Sequence, residues 1–205
     1  LAGGARGRKV ERFLDITPDF GKLIGYFLAE GSISNNSFSF CFSQREEEYV
    51  ADVMEIVKKV WGLINPRVYI RKERFSIELV FDSKIHTRWL ENHCYQDGFA
   101  HKADVKKIPN YIFYSSLKVQ AECFLGWYRG DKGYTASRAL MNQMKIICLN
   151  LGIIPSIIVD TKLHHLRRGN HKYRQRTIRA RHDMYSFSNL AFFSTDRFGL
   201  KAEIK

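Results

Sequence analysis

The sequence predicts an α+β protein built from two similar halves. Three observations point there. A helical pattern closed by an acid occurs twice, as LIGYFLAEG from Leu23 to Gly31 and as FLGWYRGDK from Phe124 to Lys132, at an offset of 101 residues. The stretch between the copies alternates helical periodicity with short strands of period two. The net charge of +12 over 205 residues suits a polyanionic partner, nucleic acid first among them. The offset is far longer than the roughly 20–50 residues of a solenoid repeat. It fits a pair of α/β halves related by an approximate two-fold.

Thr17 and Pro18 read as the cap and first position of a helix that stops at Gly31. Asn35 and Asn36 then turn the chain between two short strands. In the second strand Phe38, Phe40 and Phe42 alternate with Ser37, Ser39, Cys41 and Ser43. Ser43 and Glu46 have the spacing of a capping box, opening a helix whose apolar side carries Tyr49, Val50, Val53, Met54, Val57 and Trp61. A hairpin follows, with Arg67, Tyr69 and Arg71 on one face and Val68 and Ile70 on the other, then a strand through Phe75, Ile77, Leu79 and Phe81. SKIHTRWLENHCY is a further helix. The first half thus reads α-ββ-α-ββ-α.

The expected organisation is a basic N-terminal segment over 1–16, a first half over 17–104, a connector over 105–116 and a second half over 117–205. Ser116 caps the second copy of the repeated helix, and Ser137 caps RALMNQMKIICLNLG. GYTAS, between those helices, is too short for a pair of long strands. IPSIIVD and MYSFSN read as strands. Between them lies a tract over 162–181 without a single acid, carrying Arg167, Arg168, Lys172, Arg174, Arg176, Arg179 and Arg181. It is either a basic loop or a hairpin that orders on DNA.

No apolar run reaches the roughly 18 residues of a spanning helix. The basic opening LAGGARGRKV leads into no apolar core. The four cysteines, Cys41, Cys94, Cys123 and Cys148, lack C-x-x-C spacing, so buried reduced thiols in an intracellular protein are expected rather than zinc.

The two helix ends carry the chemistry. Gly25 matches Gly126, Tyr26 matches Trp127, Ala29 matches Gly130 and Glu30 matches Asp131. Small residues four apart form a stripe along which two helices can approach closely. If the helices pack in parallel, Glu30 and Asp131 become neighbours at two negative dipole ends, an arrangement that a divalent cation resolves. Carboxylate oxygens with room for water and phosphate suit Mg²⁺, and the basic surroundings suggest phosphodiester hydrolysis.

These residues resemble a known family. LIGYFLAEG resembles the LAGLIDADG motif at its characteristic positions, and FLGWYRGDK resembles a second copy except at its last place, where Lys132 stands for glycine. The phrase ITPDFGKLIGYFLAEGSIS is similar to the endonuclease domains found inside inteins. The resemblance covers roughly residues 13–189. It implies a monomeric, single-chain homing endonuclease of two αββαββα halves, whose sheets form a saddle over duplex DNA and whose motif helices pack at the interface. Glu30 and Asp131 would bind divalent metal, Mg²⁺ in use, with Mn²⁺ or Ca²⁺ substituting in binding. The expected product is a staggered double-strand break at a long asymmetric site. The resemblance also implies that Gln44 or Arg45, at the end of the second strand, lies near the scissile phosphate. It implies that Lys107, in KKIP, orients a water or neutralises transition-state charge. The matching lysine of the second half would be Lys201 or Lys205.

Arg67, Tyr69, Arg71 and the 162–181 tract are expected to contact DNA. Lys132 is either a flaw in one half-site, strained by roughly 1–2 kcal/mol if left-handed, or a substitute basic group. With neither an initial Cys or Ser nor a final His-Asn, the chain is expected to be a free-standing endonuclease or an excised domain. The alternatives are a non-cleaving binder of the same fold, an RNA maturase or DNA-binding regulator, and, further off, an RNA-binding protein of another fold.

Overall fold

The structure, a computed structural model, describes residues 13–97, 102–161, 171–173, 176–178 and 182–188, with backbone alone at 171–173 and 176–178. At its centre two helices, α1 (Pro18–Glu30) and α5 (Leu117–Asp131), lie side by side. Each is buried on nearly every side, from Phe20 to Leu28 in the first and from Val119 to Trp127 in the second, apart from Lys22 and Glu122. Helices apolar all round belong inside a core. Thr17 Oγ1 accepts from the Phe20 N–H at 3.2 Å and Pro18 fills the first turn, so α1 starts where its sequence signals it.

The two helices run in parallel. Gly21 faces Val119, Gly25 faces Cys123, and Gly130 faces Ala29 and Glu30. The contact is reciprocal under the 101-residue offset: a Cβ on Gly25 would run into the Cys123 carbonyl oxygen and the Trp127 N, and one on Gly126 into the Lys22 carbonyl oxygen and the Tyr26 N. Here glycine is required by backbone touching backbone, which outweighs its helical cost of about 1 kcal/mol.

Around α1 the first half builds a four-stranded antiparallel sheet. Its strands are β1 (Gly31–Ser34), β2 (Ser37–Ser43), β3 (Arg67–Arg71) and β4 (Ser76–Asp82), in the order β1-β2-β4-β3. Phe38, Phe40 and Phe42 pair with Phe81, Leu79 and Ile77 and press inward. The opposite face stays open. Helices α2 (Glu47–Trp61) and α3 (Lys84–Cys94) flank the sheet. Ser43 does not cap α2 as expected, because it is still in β2. Glu46 instead reaches back to the Ser43 N–H at 3.0 Å, and the helix begins at Glu47. The inner side of α2 carries Val53, Ile56 and Val57, while Met54 is exposed. Cys41 corrects the expectation of four buried thiols; it stands exposed on the open face, and only Cys94, Cys123 and Cys148 are buried.

The connector is a strap rather than a loose link. Tyr95 and Lys106 form an antiparallel bridge, and the Lys107 N–H donates to the Cys94 carbonyl at 2.9 Å. On the other side Ser137 Oγ donates to the Lys106 carbonyl at 2.7 Å, and Gln143 accepts from the Ile108 N–H at 2.7 Å. A short helix, α4 (Asn110–Phe113), leads into α5.

The second half places β5 (Tyr134–Thr135), α6 (Arg138–Asn150), β6 (Ser156–Asp160), β7 (His171–Tyr173), β8 (Arg176–Ile178) and β9 (Met184–Ser188) after α5. Its sheet order is β5-β9-β6, antiparallel throughout. That is the order and sense of β2-β4-β3, so among the described residues no strand matches β1. The omission explains the two helix ends. Gly31 is extended, at φ −79, because β1 starts there; its lack of a Cβ spares the Phe27 ring, and it is not the left-handed stop its position suggests. Lys132 and Gly133 are both left-handed, at φ 52 and 83, because the chain must reverse at once to reach β5. In the basic tract, β7 and β8 pair as an antiparallel hairpin. No described helix is long and apolar enough to cross a membrane.

Candidate active site at the paired helix ends

The parallel packing brings Glu30 and Asp131 together at one end of the helix pair. Gly130 makes room for this: the Glu30 Cγ lies 3.0 Å and its Oε1 3.3 Å from where a Cβ on Gly130 would stand. Burial, then the Asp131 and Glu46 carboxylates, push Glu30 up to about 7, against the opposing charges of Lys106 and Lys132. Burial likewise raises Asp131, with Lys106 pulling the other way. The site therefore holds too little positive charge for both acids to ionise comfortably.

Lys106, not Lys107, reaches the site. Its ammonium is buried and donates to the carbonyls of Gly31 at 2.8 Å and of Phe27 and Leu28 at 3.0 Å, with Ala29 further away at 3.4 Å. Since the chain passes from α1 straight into β1, those last-turn carbonyls have no left-handed cap, and the lysine supplies one. Burial pushes its ammonium below the usual range while Asp131 and Glu30 oppose that. Lys107 points the other way, 3.4 Å from Asp97. The α5 end caps itself instead: the Lys132 N–H donates to the Tyr128 carbonyl at 2.8 Å and its ammonium to the Arg129 carbonyl at 2.7 Å, with the Tyr49 ring centroid 5.2 Å from Nζ.

Gln44 follows β2, its N–H bound to the Phe75 carbonyl at 2.9 Å. Its side-chain Nε2 is buried with no hydrogen-bond partner among the described residues. Arg45 is exposed beside it. Arg67, Tyr69 and Arg71 share the open face of the first sheet, in register with Val80, Glu78 and Ser76 of β4. Lys172 and Arg176 lie on the β7–β8 hairpin. Arg167, Arg168, Arg174, Arg179, Arg181, Lys201 and Lys205 fall outside the described residues.

A second polar cluster was not visible in the sequence. Asp52 of α2 accepts from the Tyr26 hydroxyl at 2.8 Å, pairs with Lys22 at 2.5 Å and lies 3.7 Å from Arg129, tying α1, α2 and α5 together. Among the described residues no group of three or more His, Cys, Asp or Glu side chains is placed to hold a metal, so any cation at the helix ends would rely on two carboxylates, water and phosphate.

No family model matches the chain. It is 32% identical over 146 residues to an uncharacterized protein of Methanocaldococcus jannaschii, covering 71% of this chain and 18% of that protein. It is 25% identical over 169 residues to a DNA polymerase of Pyrococcus horikoshii, covering 80% of this chain and 12% of the polymerase. The chain thus spans less than a fifth of each of these relatives. Among solved structures it resembles variants of the homing endonuclease I-DmoI, at a TM-score of 0.54 and 12% identity, with 84% of this chain and 89% of that one covered. I-DmoI in complex with DNA and Mn matches at a TM-score of 0.51 and 14% identity, covering 85% of this chain and 91% of that one. The described helix pair, sheets and connector of this chain have the LAGLIDADG-like fold of I-DmoI.

Proposed function

We propose that this chain is a site-specific endonuclease for double-stranded DNA, with Glu30 and Asp131 holding the divalent cation it uses. The carrying observation is the pair of carboxylates at coincident helix ends, both raised by burial, with the Lys106 ammonium already spent on backbone carbonyls. The donor set fits Mg²⁺, which takes one or two carboxylates and completes its octahedron with water and phosphate oxygen. When bound, the cation would polarise a phosphate oxygen and lower the pKa of a water. Glu30 and Asp131 orient what occupies the site. Lys106 fixes the α1 end and adds positive potential where negative charge develops. Gln44, at the end of β2, keeps a buried side-chain N–H donor that has no partner among the described residues. Lys107 has no part in this arrangement.

The open sheet face and the excess of basic residues would hold the duplex. The missing strand leaves the second half with a smaller described sheet, which favours an asymmetric target and a monomer. One similar stretch inside a DNA polymerase and inside a second protein, under a fifth of each, is what an intein-borne or otherwise mobile segment produces. Intracellular action follows from such a target.

The test is a supercoiled plasmid library with randomised inserts, incubated with the chain and Mg²⁺ and sequenced at the free ends. Breaks at one consensus that vanish in Glu30→Gln and in Asp131→Asn support the proposal. Consensus binding without breaks under Mg²⁺ or Mn²⁺ replaces it with a non-cleaving DNA binder, the reading that the shortened second half favours.

A further inference from the structure

The open face of the first sheet carries two acids, which is odd for a surface meant to meet phosphates. Each acid is matched. Arg71 Nη2 lies 2.5 Å from Glu78 Oε2, and Arg67 Nη2 lies 2.7 Å from Asp82 Oδ1. Both pairs have the same diagonal geometry: Arg71 is in register with Ser76 and reaches Glu78, and Arg67 is in register with Val80 and reaches Asp82. Arg67 also donates to the Tyr69 hydroxyl at 3.0 Å, which fixes the strand's middle residue. The neighbouring side chains on this face, Ser37, Ser39, Cys41, Ser43 and Ser76, are small, so Arg67, Arg71 and Asp82 stand exposed above it and Glu78 sits half-buried beneath the Arg71 guanidinium.

We propose that the Arg71–Glu78 and Arg67–Asp82 pairs read two G·C base pairs, about four base pairs apart, in the major groove of one half-site. The inference rests on the DNA-binding reading above. A guanidinium fork matches the two acceptors of guanine, O6 and N7, and a carboxylate beside it accepts from the N4 amine of the paired cytosine. No other base pair offers two adjacent acceptors and one donor in that order. Four residues along β3 span about 13 Å, close to the rise of four base pairs at about 3.4 Å each. Pre-pairing in the free protein holds each arginine in place and screens each acid until it meets its amine. The competing role is plain reinforcement of an edge strand by charge.

Binding selection from randomised duplexes in Ca²⁺, with the 205-residue chain, separates these. The consensus should contain two G·C positions about four base pairs apart. Glu78→Gln and Asp82→Asn should each relax one of them, lowering the preference for G·C there by about 5- to 100-fold while leaving the other intact. An unchanged consensus in both variants, or a uniform loss of affinity at every position, overturns the inference and leaves DNA binding standing. No enrichment by the parent chain overturns the DNA-binding reading, and this inference with it.

Discussion

The buried ammonium of Lys106 shows how much one side chain can decide. Its three short hydrogen bonds add to the one cap bond that α1 makes with backbone, from the Gly31 N–H to the Phe27 carbonyl. Lys106→Met should therefore lower unfolding free energy by about 2–4 kcal/mol, because several carbonyls lose a charged donor at once. Lys107→Met should change it by less than about 0.5 kcal/mol; urea melts of both give the comparison. The sequence held the clue. Ile108 is a core residue, and in an extended segment positions two apart share a side, so Lys106 must point inward with it and Lys107 outward. Matching KKIP as a motif chose the lysine nearer the proline and missed that alternation. Titration gives a second prediction. Glu30 ionises near the ordinary 4.5 when unfolded and at about 7 in the fold, so the fold holds the extra proton between those values. Its contribution to stability is full below 4.5 and is lost as pH rises through 7. His86, lowered from 6.5 to about 4 by burial, works the other way: its contribution is present above 6.5 and is lost as pH falls through 4. Above 6.5 the Glu30 effect is left together with that of Asp131, which burial also raises to about 7. Together the two acids should cost the metal-free chain about 1 kcal/mol between pH 6.5 and 8, after allowance for screening. Thermal melts should show the loss reduced by Glu30→Gln and reversed by Mg²⁺.

At the scale of elements, the helix pair was legible and the strands around it only partly so. Two glycines repeating at one offset, each followed five residues on by an acid, leave few arrangements besides parallel close packing. Gly126→Val should cost about 3 kcal/mol or more, since backbone stands where its side chain must go. A merely helix-breaking glycine would be stabilised by that change, so chemical denaturation decides the matter by sign. The left-handed turn at Lys132 was harder to place, because its cause is the absence of a strand elsewhere. With φ at 52, lysine there carries the strain that glycine avoids. Lys132→Gly should stabilise the fold by about 0.5–1 kcal/mol even though it removes the ammonium from the Arg129 carbonyl. Calorimetry on this variant, run beside the cleavage assay, tells a tolerated flaw from a needed charge: cleavage undiminished marks the former. The Ser43 cap failed for a related reason. A strand that continues through Ser43 to pair with Ser76 outcompetes a local capping signal.

Across the whole molecule, the duplication, the open face and the excess of positive charge could be read from sequence, while the strapping of the connector could not, because it depends on contacts from both sides that no local pattern encodes. The two halves meet through helices that neither could leave exposed to water: α1 and α5 are apolar almost all the way round. Each half is thus an incomplete globule. Segment 95–108 ties them covalently, so docking proceeds at a high effective concentration instead of by encounter in solution. If the chain is cleaved near residues 98–101, the fragments should stay associated after folding, yet refold together at a rate that rises with their concentration, whereas the intact chain refolds at a rate independent of it. In that sense the molecule behaves as a heterodimer whose subunits were never allowed to diffuse apart, and its tolerance of a lost strand in one partner is the tolerance of a dimer in which only the shared seam must be kept.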